Sequence, residues 1–443
     1  MRQKNGGKVI ASGGFGCVFR PALMCKGQTI REKDKITKLM IKKYAIEEYE
    51  DVIKYSHILK KIPFYHNFFL IDGFHLCDPA PLNNEDIKYF NEKCTALPKK
   101  DINKTNINSS LDQLLALNMP DGGLALDDFL SKSGSYHNIV NINDTLINLL
   151  LKGIIPMNKN HIYHCDIKDS NILVQKNKNE LYTRLIDWGL STIYNPNNSH
   201  RLPKTWQNRP FQFNSPFSII IFSDKFLIKY QLFLNKQKIN NANPKEELKK
   251  FIVNYIYYWL KERGNGHFKF INAIMNKLFF TNIPPNITEK KEKNRFIIEK
   301  YTIPIITDYI YNILIHFTEK SNNKDIDFRN YLNNVFIKIV DIYGFISCYY
   351  PILEIYYENY HVLSKNELLI FDRIRSIFIK YLYEPCIKEY NISELTKDLK
   401  NLNPFFLLED HLHAKPFSLL SKTFSSSKKK KTSTRRITRK NRI

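Results

Sequence analysis

The sequence lacks the long apolar run that a membrane-spanning helix or a secretory signal needs. No stretch reaches the roughly 18 consecutive apolar residues of a membrane helix, and the opening residues, MRQKNGGKVI, contain no extended apolar segment. Cysteine pairs of the C-x-x-C type are also absent, because the seven cysteines are dispersed and odd in number. We therefore expect a soluble intracellular protein with no membrane span, in a reducing compartment, without a disulfide framework or a structural zinc site.

Acidic residues are scarce relative to basic ones, and the net charge is +24. Nine of the cations lie in residues 428–443, KKKKTSTRRITRKNRI, which contain no acid, so the rest of the chain keeps +15 of that charge. The composition predicts a disordered basic tail over residues 421–443. Such a tail suits an acidic partner or nucleic acid, or a nuclear-import signal, although a simply solvated charge run is the commoner case. Its Ser and Thr at 425–427 and 432–434 are candidate self-phosphorylation sites.

The hydrophobic pattern changes character along the chain. Short apolar runs predict a small strand-rich part, and most of the remaining sequence is helical in period. We predict an α+β chain of two lobes: a β-rich lobe over residues 1–120, with a polar insertion at 78–110, and a large helical lobe over 121–420. The elements predicted in the first lobe are a hairpin at 8–23, a strand at 35–43, a helix at 45–63 and a strand at 67–77.

A glycine-rich stretch, IASGGFGCV at 10–18, separates the two strands of the predicted hairpin. Small residues at 11, 13, 14 and 16 let backbone amides approach a phosphate closely, although a plain hairpin turn is the commoner meaning of this pattern alone. Lys38 follows in the next strand. The predicted helix after it offers Glu47, Glu48 and Glu50 as partners for that ammonium, with an apolar stripe at Ile46, Tyr49, Ile53, Ile58 and Ile62.

Polar residues concentrate in HCDIKDSN, residues 164–171, directly before an apolar strand. A second apolar strand ends in LIDWGLS, where Asp187 precedes an aromatic residue and a glycine. Together the two stretches supply a loop carboxylate, an ammonium, and an amide and a carboxylate for metal ions. Phosphoryl transfer requires this set, because its catalysis consists mostly of positioning and charge neutralisation. Each stretch alone could be an ordinary surface turn. An ordinary turn does not explain why all of these residues occur together in this order.

In these motifs residues 8–224 resemble the eukaryotic-type protein kinases. The Asn/Lys/Ile-heavy composition and divergent second half look most like the Ser/Thr protein kinases of large nucleocytoplasmic DNA viruses, which would imply the host cytoplasm, the nucleus or a virion. The resemblance implies ATP and Mg²⁺ as cofactors and a protein substrate. It implies that Asp166 and Lys168 are catalytic and that Asn171 and Asp187 hold metal. It also implies nucleotide contacts from Ile10, Ala11, Ser12, Gly13, Gly14, Phe15, Gly16, Val18, Lys38, Glu50, Asn118 and Pro120.

Within that resemblance Glu50 is the expected partner of Lys38, and His164 would tie the loop to the DWG turn. Asp224 is the candidate for the buried helix Asp that braces the catalytic loop. Some positions depart from the family pattern. Cys165 stands where many kinases have the Arg that receives an activating phosphate, which predicts activity without activation-loop phosphorylation. Phe217 stands where the Ala-Pro-Glu signature has its Glu, and Pro120 lacks the N–H of a hinge residue.

Three alternatives to an active Ser/Thr kinase stay open at this point. The altered loops are compatible with a catalytically weak pseudokinase scaffold. Loss of the Ala-Pro-Glu element is natural in a kinase-fold enzyme that acts on a small molecule or lipid. The basic tail is compatible with a nucleic-acid-binding module that carries a kinase-like half. Residues 225–420 carry no recognisable motif.

Overall fold

The structure, a computed structural model, describes residues 7–132, 135–177, 180–198, 201–237, 244–319, 326–385 and 387–412. The predicted basic tail over 421–443 lies outside these residues. The chain divides into two compact bodies, the first being Met1–Leu124 with Leu173–Gly189 and the second Ala125–Ile172 with Leu190–Ile443. The first body thus takes in a second segment of the chain, 173–189, beyond the predicted lobe of 1–120.

Strands dominate the first body. Five of them form an antiparallel sheet in the order β1-β2-β3-β5-β4, and β8 lies between β6 and β9 in a three-stranded sheet. The remaining two, β7 and β10, pair with each other in the second body. In chain order the strands are β1 (Lys8–Ser12), β2 (Gly16–Arg20), β3 (Lys35–Ile41), β4 (His75–Cys77), β5 (Leu114–Pro120), β6 (Leu124–Ala125), β7 (Ile162–Tyr163), β8 (Ile172–Asn177), β9 (Glu180–Leu185) and β10 (Thr192–Ile193).

The predicted strand at 67–77 forms only over its last three residues, as β4. A 3-10 turn at Tyr65–Asn67 precedes it, and Gly73 has a φ of +74°, a left-handed conformation that interrupts an extended strand. Leu70 instead donates its N–H to the carbonyl of Leu185 at the end of β9, 3.2 Å away. The apolar run is therefore buried without pairing continuously in the sheet.

Helix α1 (Lys42–Leu59) follows β3 and presents a different face to the sheet from the one predicted. Its buried residues are Ala45, Val52, Tyr55, Ser56 and Leu59. The predicted stripe was wrong at Ile46 and Ile53, whose side chains are 41% and 39% exposed. The buried face is shifted by about one residue from the predicted stripe. It includes a small residue, Ala45, and a polar one, Ser56, which a search for apolar residues does not find.

The segment predicted as a polar insertion packs over the sheet. Leu82, Phe90, Leu97 and Ile107 are buried and share one apolar cluster with Phe19 of β2. The segment contains one short helix, α2 (Phe90–Lys93), and two 3-10 turns, at Pro98–Lys100 and Ile107–Ser109. Its apolar residues are spaced irregularly, which is why periodicity does not reveal a buried element here.

Two disulfide bonds join parts of the first body, and the expectation of no disulfide framework was wrong. Cys17 bonds to Cys94 and Cys25 to Cys77, with Cα–Cα distances of 5.3 and 5.7 Å. The partners are 77 and 52 residues apart in the chain, so only the folded sheet and its covering segment bring them together. Among the described residues the free cysteines are Cys165 and Cys348, both buried.

The second body is mainly helical. Several of its helices begin at a side-chain cap: for example, Ser135 accepts the N–H of Asn138, and Ser364 forms a capping box with Glu367. Its described helices are α3 (Leu126–Lys132), α4 (Tyr136–Asn148), α5 (Ile155–Lys159), α6 (Asp224–Gln237), α7 (Pro244–Arg263), α8 (Phe268–Phe279), α9 (Lys290–Ile297), α10 (Ile303–Glu319), α11 (Phe328–Tyr331), α12 (Ile337–Ser347), α13 (Tyr350–Glu358), α14 (Lys365–Phe378), α15 (Ile392–Lys400) and α16 (Asn403–Leu412).

The core of this body is built around the stretch from α11 to α13. Residues Phe328–Glu358 are long and apolar enough to cross a bilayer, yet 94% of their most apolar window is buried inside the protein. A central core helix has the same character, so this stretch is no clear membrane span. Within it, Asp341 and Gly344 of α12 lie three residues apart on one face.

Candidate active site

The first body carries the glycine-rich turn between β1 and β2. Gly13 donates its N–H to the carbonyl of Gly16 at 2.9 Å, which closes a tight turn. A Cβ on Gly16 would lie 2.2 Å from Cγ of Met40, so only glycine fits there. The Ser12 hydroxyl accepts the N–H of Thr95 at 3.0 Å, from the segment that covers the sheet. The turn is therefore held in one shape by contacts on both sides.

The predicted nucleotide-contacting residues of this turn differ in exposure. Ile10 and Phe15 are exposed, at 36% and 46%, and the Phe15 ring lies 4.7 Å from that of Tyr44. Gly16 is buried, while Ala11, Gly13 and Gly14 are open to solvent. Val18 is half-buried and is opposite Lys38 in the register of β2 and β3.

Lys38 pairs with Glu48, and the predicted pairing with Glu50 was wrong. The Lys38 ammonium donates to Oε1 of Glu48 at 2.7 Å. Glu48 lies three residues after Ala45 and four before Val52 on the buried face of α1, whereas Glu50 is on the exposed side. Burial raises the pKa of Glu48; the Lys38 charge and its hydrogen bond lower it, and the charge of Asp187 raises it.

Asp187 follows β9 in a sharp turn. It has a φ of +70°, a left-handed conformation that is uncommon outside glycine. The next residue, Trp188, is buried and packs against the rings of Tyr55 and Phe69, at centroid distances of 5.7 and 5.9 Å. The large aromatic anchor fixes the turn in the core, which holds the Asp187 carboxylate at a defined place near the Glu48 charge.

Asn118 and Pro120 lie at the end of β5. The Asn118 side chain is fully buried, and its carbonyl oxygen accepts a hydrogen bond from the Thr37 hydroxyl. Pro120 pairs in register with Lys35 and offers no N–H. Their assignment to nucleotide binding stays a prediction.

The second body carries the HCDIKDSN loop, whose backbone is hydrogen-bonded to the Asp341 side chain. The two Asp341 carboxylate oxygens accept the backbone N–H of His164 at 2.9 Å and of Cys165 at 2.7 Å, and the Asn158 amide at 2.7 Å. These bonds accommodate Cys165 at a φ of +59°. One turn along α12, a Cβ on Gly344 would lie 2.7 Å from the Ile167 carbonyl, so glycine permits this close approach.

The proposed brace at Asp224 was therefore wrong. Asp224 is the exposed first residue of α6, whereas Asp341 is 1% exposed and makes the bonds to the loop. Helices α6 to α11 lie between the two positions in the chain. Sequence reasoning placed the brace directly after the loop segment because it had no means of recognising these six helices as an addition.

Three donors surround the Asp166 carboxylate. The Lys168 ammonium donates to Oδ2 at 2.6 Å, the Asn171 amide to the same oxygen at 3.1 Å, and the Asn214 amide to Oδ1 at 2.9 Å. Asn171 also donates to the Asp166 carbonyl at 2.9 Å. Because its Nδ2 is engaged, the Asn171 Oδ1 is the atom that suits a cation, and amide and carboxylate oxygens are the ligands Mg²⁺ prefers.

The charge of Asp166 is stabilised by these contacts. Burial alone would raise its pKa, but the Lys168 ammonium and the hydrogen bonds from Lys168 and Asn214 outweigh burial, and the pKa lies below the usual value of 3.8. Asp166 is therefore ionised at neutral pH. The side chain is 8% exposed, so its two oxygens are fixed in orientation rather than free in solvent.

The segment after β10 packs onto the same loop through two further residues that sequence reasoning missed. The Arg209 guanidinium donates to the Cys165 carbonyl at 2.9 Å, and the Trp206 indole N–H donates to the Cys165 sulfur at 2.9 Å. Both residues are buried. Nothing in the spacing of residues 201–214 marks these contacts, since they depend on how an irregular segment folds back.

His164 is buried, and its carbonyl accepts the Ser191 hydroxyl at 3.3 Å. Ser191 lies two residues after the DWG turn and directly precedes β10, which pairs with β7. The loop is thus tied to the chain that follows the turn by both a side-chain bond and a two-stranded ladder.

Residues 104–212 match the family model of the protein kinase domain. The chain is therefore similar to protein kinases over these residues. It has a β-sheet N-terminal region and a helical C-terminal part, as the sequence predicted, and the match supports the resemblance to the eukaryotic-type protein kinase superfamily. The matched residues include Asp166, Lys168, Asn171 and Asp187, while the glycine-rich turn and Lys38 precede the match and Asn214 follows it.

Two curated relatives match a short part of the chain. Calcium-dependent protein kinase 4 of Plasmodium falciparum is 38% identical over 75 residues, and calcium-dependent protein kinase 4 of Plasmodium berghei is 36% identical over 74 residues. In each case the match covers 16% of this chain and 13% of the relative. The chain therefore spans about an eighth of the length of these relatives.

Proposed function

We propose that the protein is a Ser/Thr protein kinase that transfers the γ-phosphate of ATP to a protein hydroxyl, with Mg²⁺ as its metal. The observation that carries this proposal is the Asp166 carboxylate, which is held by Lys168, Asn171 and Asn214. A carboxylate fixed by three donors on a braced loop is suited to orienting a hydroxyl for in-line attack.

Each proposed role follows from the chemistry of the side chain. Asp166 accepts a hydrogen bond from the substrate hydroxyl and takes its proton as the new P–O bond forms. Lys168 neutralises the transferred phosphoryl group. Asn171 and Asp187 hold Mg²⁺, which neutralises the phosphate charge, and Lys38, oriented by Glu48, positions the α and β phosphates.

We also propose that activity does not require phosphorylation of the activation segment. Cys165 replaces the cation that would receive such a phosphate. In its place a buried cation, Arg209, already bonds the loop carbonyl, and Trp206 fixes the Cys165 sulfur. The segment thus has its own internal contacts to the loop. Protein treated with phosphatase should keep its activity, and a loss to background would refute this part of the proposal.

The hydroxyl specificity rests on Lys168, since a Lys two residues after the catalytic Asp is typical of Ser/Thr kinases. A small-molecule or lipid substrate is the second candidate, because Phe217 is buried at the position of the Glu in the Ala-Pro-Glu element. Incubation with labelled ATP, Mg²⁺ and a mixed protein substrate, followed by acid hydrolysis, should yield phosphoserine or phosphothreonine. Phosphotyrosine alone, or label only in small molecules, would contradict the proposal.

The tail at 421–443 suits an acidic partner or nucleic acid, in keeping with the nine cations of its residues 428–443. Full engagement of DNA phosphates would give a log–log salt dependence of up to about −8, and a slope near zero would exclude it. A viral origin, with the host cytoplasm, nucleus or virion as location, rests on composition and stays a prediction.

A further inference from the structure

A second group of reactive side chains lies in the first body, away from the kinase motifs of the sequence. Cys25 precedes β3, and His75 and Cys77 are the ends of β4. Their sulfur and nitrogen atoms all lie within 4.8 Å of one another, and among the described residues no other group of three or more His, Cys, Asp or Glu meets this criterion. Cys25 and Cys77 form a disulfide, and Nε2 of His75 is 3.9 Å from the Cys25 sulfur.

A buried amide is directed at these two sulfurs. Asn118 donates through Nδ2 to Cys25 Sγ at 3.4 Å and to the Leu23 carbonyl at 3.4 Å, with a longer contact of 3.9 Å to Cys77 Sγ. Its orientation is fixed by a relay: the Leu23 N–H donates to the Thr37 hydroxyl, which must then give its own proton to the Asn118 carbonyl oxygen. The NH₂ group is thereby left facing the sulfurs and the Leu23 carbonyl.

An N–H donor is poorly matched to a disulfide sulfur, which is a weak acceptor, but well matched to a thiolate. Hydrogen-bond donors that contact the ligands of a metal, and not the metal itself, orient those ligands and stabilise their charge. The fully buried Asn118 therefore indicates a site that also serves negatively charged sulfur.

We propose that Cys25, His75 and Cys77 form a zinc site that is available when the disulfide is reduced. A dithiol reductant transfers two electrons and two protons to the Cys25–Cys77 bond, giving two thiols and the oxidised, cyclic form of the reductant. Zn²⁺ then binds the two sulfurs and the His75 nitrogen, and the two thiol protons are released to solvent. A two-electron oxidant such as a peroxide reverses the step, because it re-forms the disulfide and releases the metal.

The donor set and the available space favour zinc. Two thiolates and an imidazole are soft and borderline ligands that suit Zn²⁺ rather than Mg²⁺ or Ca²⁺. In tetrahedral geometry with bonds of about 2.3 Å, two zinc-bound sulfurs lie roughly 3.8 Å apart, so reduction must let them separate before metal enters. His75 is exposed and Cys77 half-buried, so that side of the site is open for metal entry and for a fourth ligand from water.

The first experiment uses the full wild-type chain without substitution. Protein reduced with a dithiol and then desalted without oxygen should bind one equivalent of added Co²⁺, with the near-ultraviolet charge-transfer absorption of a thiolate–cobalt bond and the visible bands of tetrahedral cobalt. Added Zn²⁺ should displace the cobalt. Oxidised protein should bind none. Equal binding by both forms, or cobalt without the thiolate band, would overturn the proposal.

Thiol alkylation read by mass spectrometry provides a second test of wild-type protein. Zn²⁺ should slow alkylation of Cys25 and Cys77 in reduced protein at least tenfold, and leave Cys17 and Cys94 unchanged. Protection of all four cysteines, or of none, would contradict the site. This readout does not depend on kinase activity, so it can succeed or fail independently of the proposed function.

Variants then assign the ligands. Cys25→Ser and His75→Ala should weaken zinc binding at least tenfold, and Asn118→Ala by roughly 10- to 100-fold, the usual cost of losing an outer donor. The double variant C17S/C94S is the matched control, since it removes the other disulfide of the same body and should retain full zinc binding. Unchanged affinity in Cys25→Ser, with the circular dichroism spectrum of the folded protein, would place the metal elsewhere and refute the assignment.

Discussion

Asp341 provides the sharpest test of how the loop at residues 164–171 is held. Replacing it with Asn keeps the size of the side chain but exchanges one carboxylate oxygen for an NH₂ group. Oδ1 accepts the Cys165 N–H, and Oδ2 accepts both the His164 N–H and the Asn158 amide. Whichever oxygen is exchanged, at least one donor then faces another donor in a site that is 1% exposed.

The magnitude follows from those contacts. A hydrogen bond to a charged group contributes about 1.5–3 kcal/mol, and a buried donor left without a partner costs about 1–3 kcal/mol. We therefore expect Asp341→Asn to lower the free energy of local opening of the loop by about 2–4 kcal/mol. Since each 1.4 kcal/mol is a factor of ten, amide exchange should accelerate by roughly 30- to 1,000-fold.

Hydrogen–deuterium exchange of the peptide spanning residues 162–171 measures this change, together with the rate of phosphate transfer, which should fall. Asp224→Asn is the matched control, because it makes the same chemical change at the exposed start of α6 and should leave both readouts at the wild-type value. Unchanged protection in Asp341→Asn, or an equal loss in Asp224→Asn, would refute the assignment of Asp341 as the residue that positions the loop.

Further expectations concern an ion pair of the first body and a surface carboxylate of the second. Glu48→Gln should lower kcat/KM for ATP by about 10- to 100-fold, the cost of one charged hydrogen bond, whereas Glu50→Gln should not; equal effects would contradict the Lys38 pairing. Burial alone would raise the pKa of Asp398, but hydrogen bonds from Lys380 and Tyr381 lower it below 3.8. Its contribution to stability is therefore complete above about pH 4 and lost as pH falls through the lower folded pKa. Asp398→Asn should remove that part of the acid dependence in denaturant melts, and an unchanged pH profile would count against it.

The sequence predicts the fold class well because the local signals agree with the global arrangement. The paired apolar runs around the glycine-rich turn became β1 and β2, and the helical period beyond residue 121 became the second body. Asp166, Lys168 and Asn171 lie within one short loop, so their proximity follows from spacing alone.

Features that depend on distant parts of the chain were not predictable in this way. The predicted buried face of α1 was wrong because the true face includes Ala45 and Ser56, which are not strongly hydrophobic. As a result, Glu50 was predicted as the partner of Lys38, whereas the structure has Glu48 in that role. The brace at Asp341 lies 175 positions after Asp166 and is separated from it by six intervening helices, α6 to α11. Disulfide partners likewise meet only after the sheet is formed.

The central claim is that Asp166 orients the hydroxyl that receives the phosphate. The direct measurement is transfer of labelled phosphate from ATP with Mg²⁺, to the protein itself and to a generic basic protein, for wild type, Asp166→Ala and the control Asp372→Ala. Asp372 carries an exposed carboxylate on α14 of the same body. ATP binding is measured separately for all three proteins.

We predict transfer by the wild type and by Asp372→Ala, and a rate lower by about 10²–10⁴ in Asp166→Ala, the usual cost of losing a positioned base, with ATP binding retained. Transfer by Asp166→Ala at the wild-type rate, or ATP binding without any transfer by the wild type, would contradict the account.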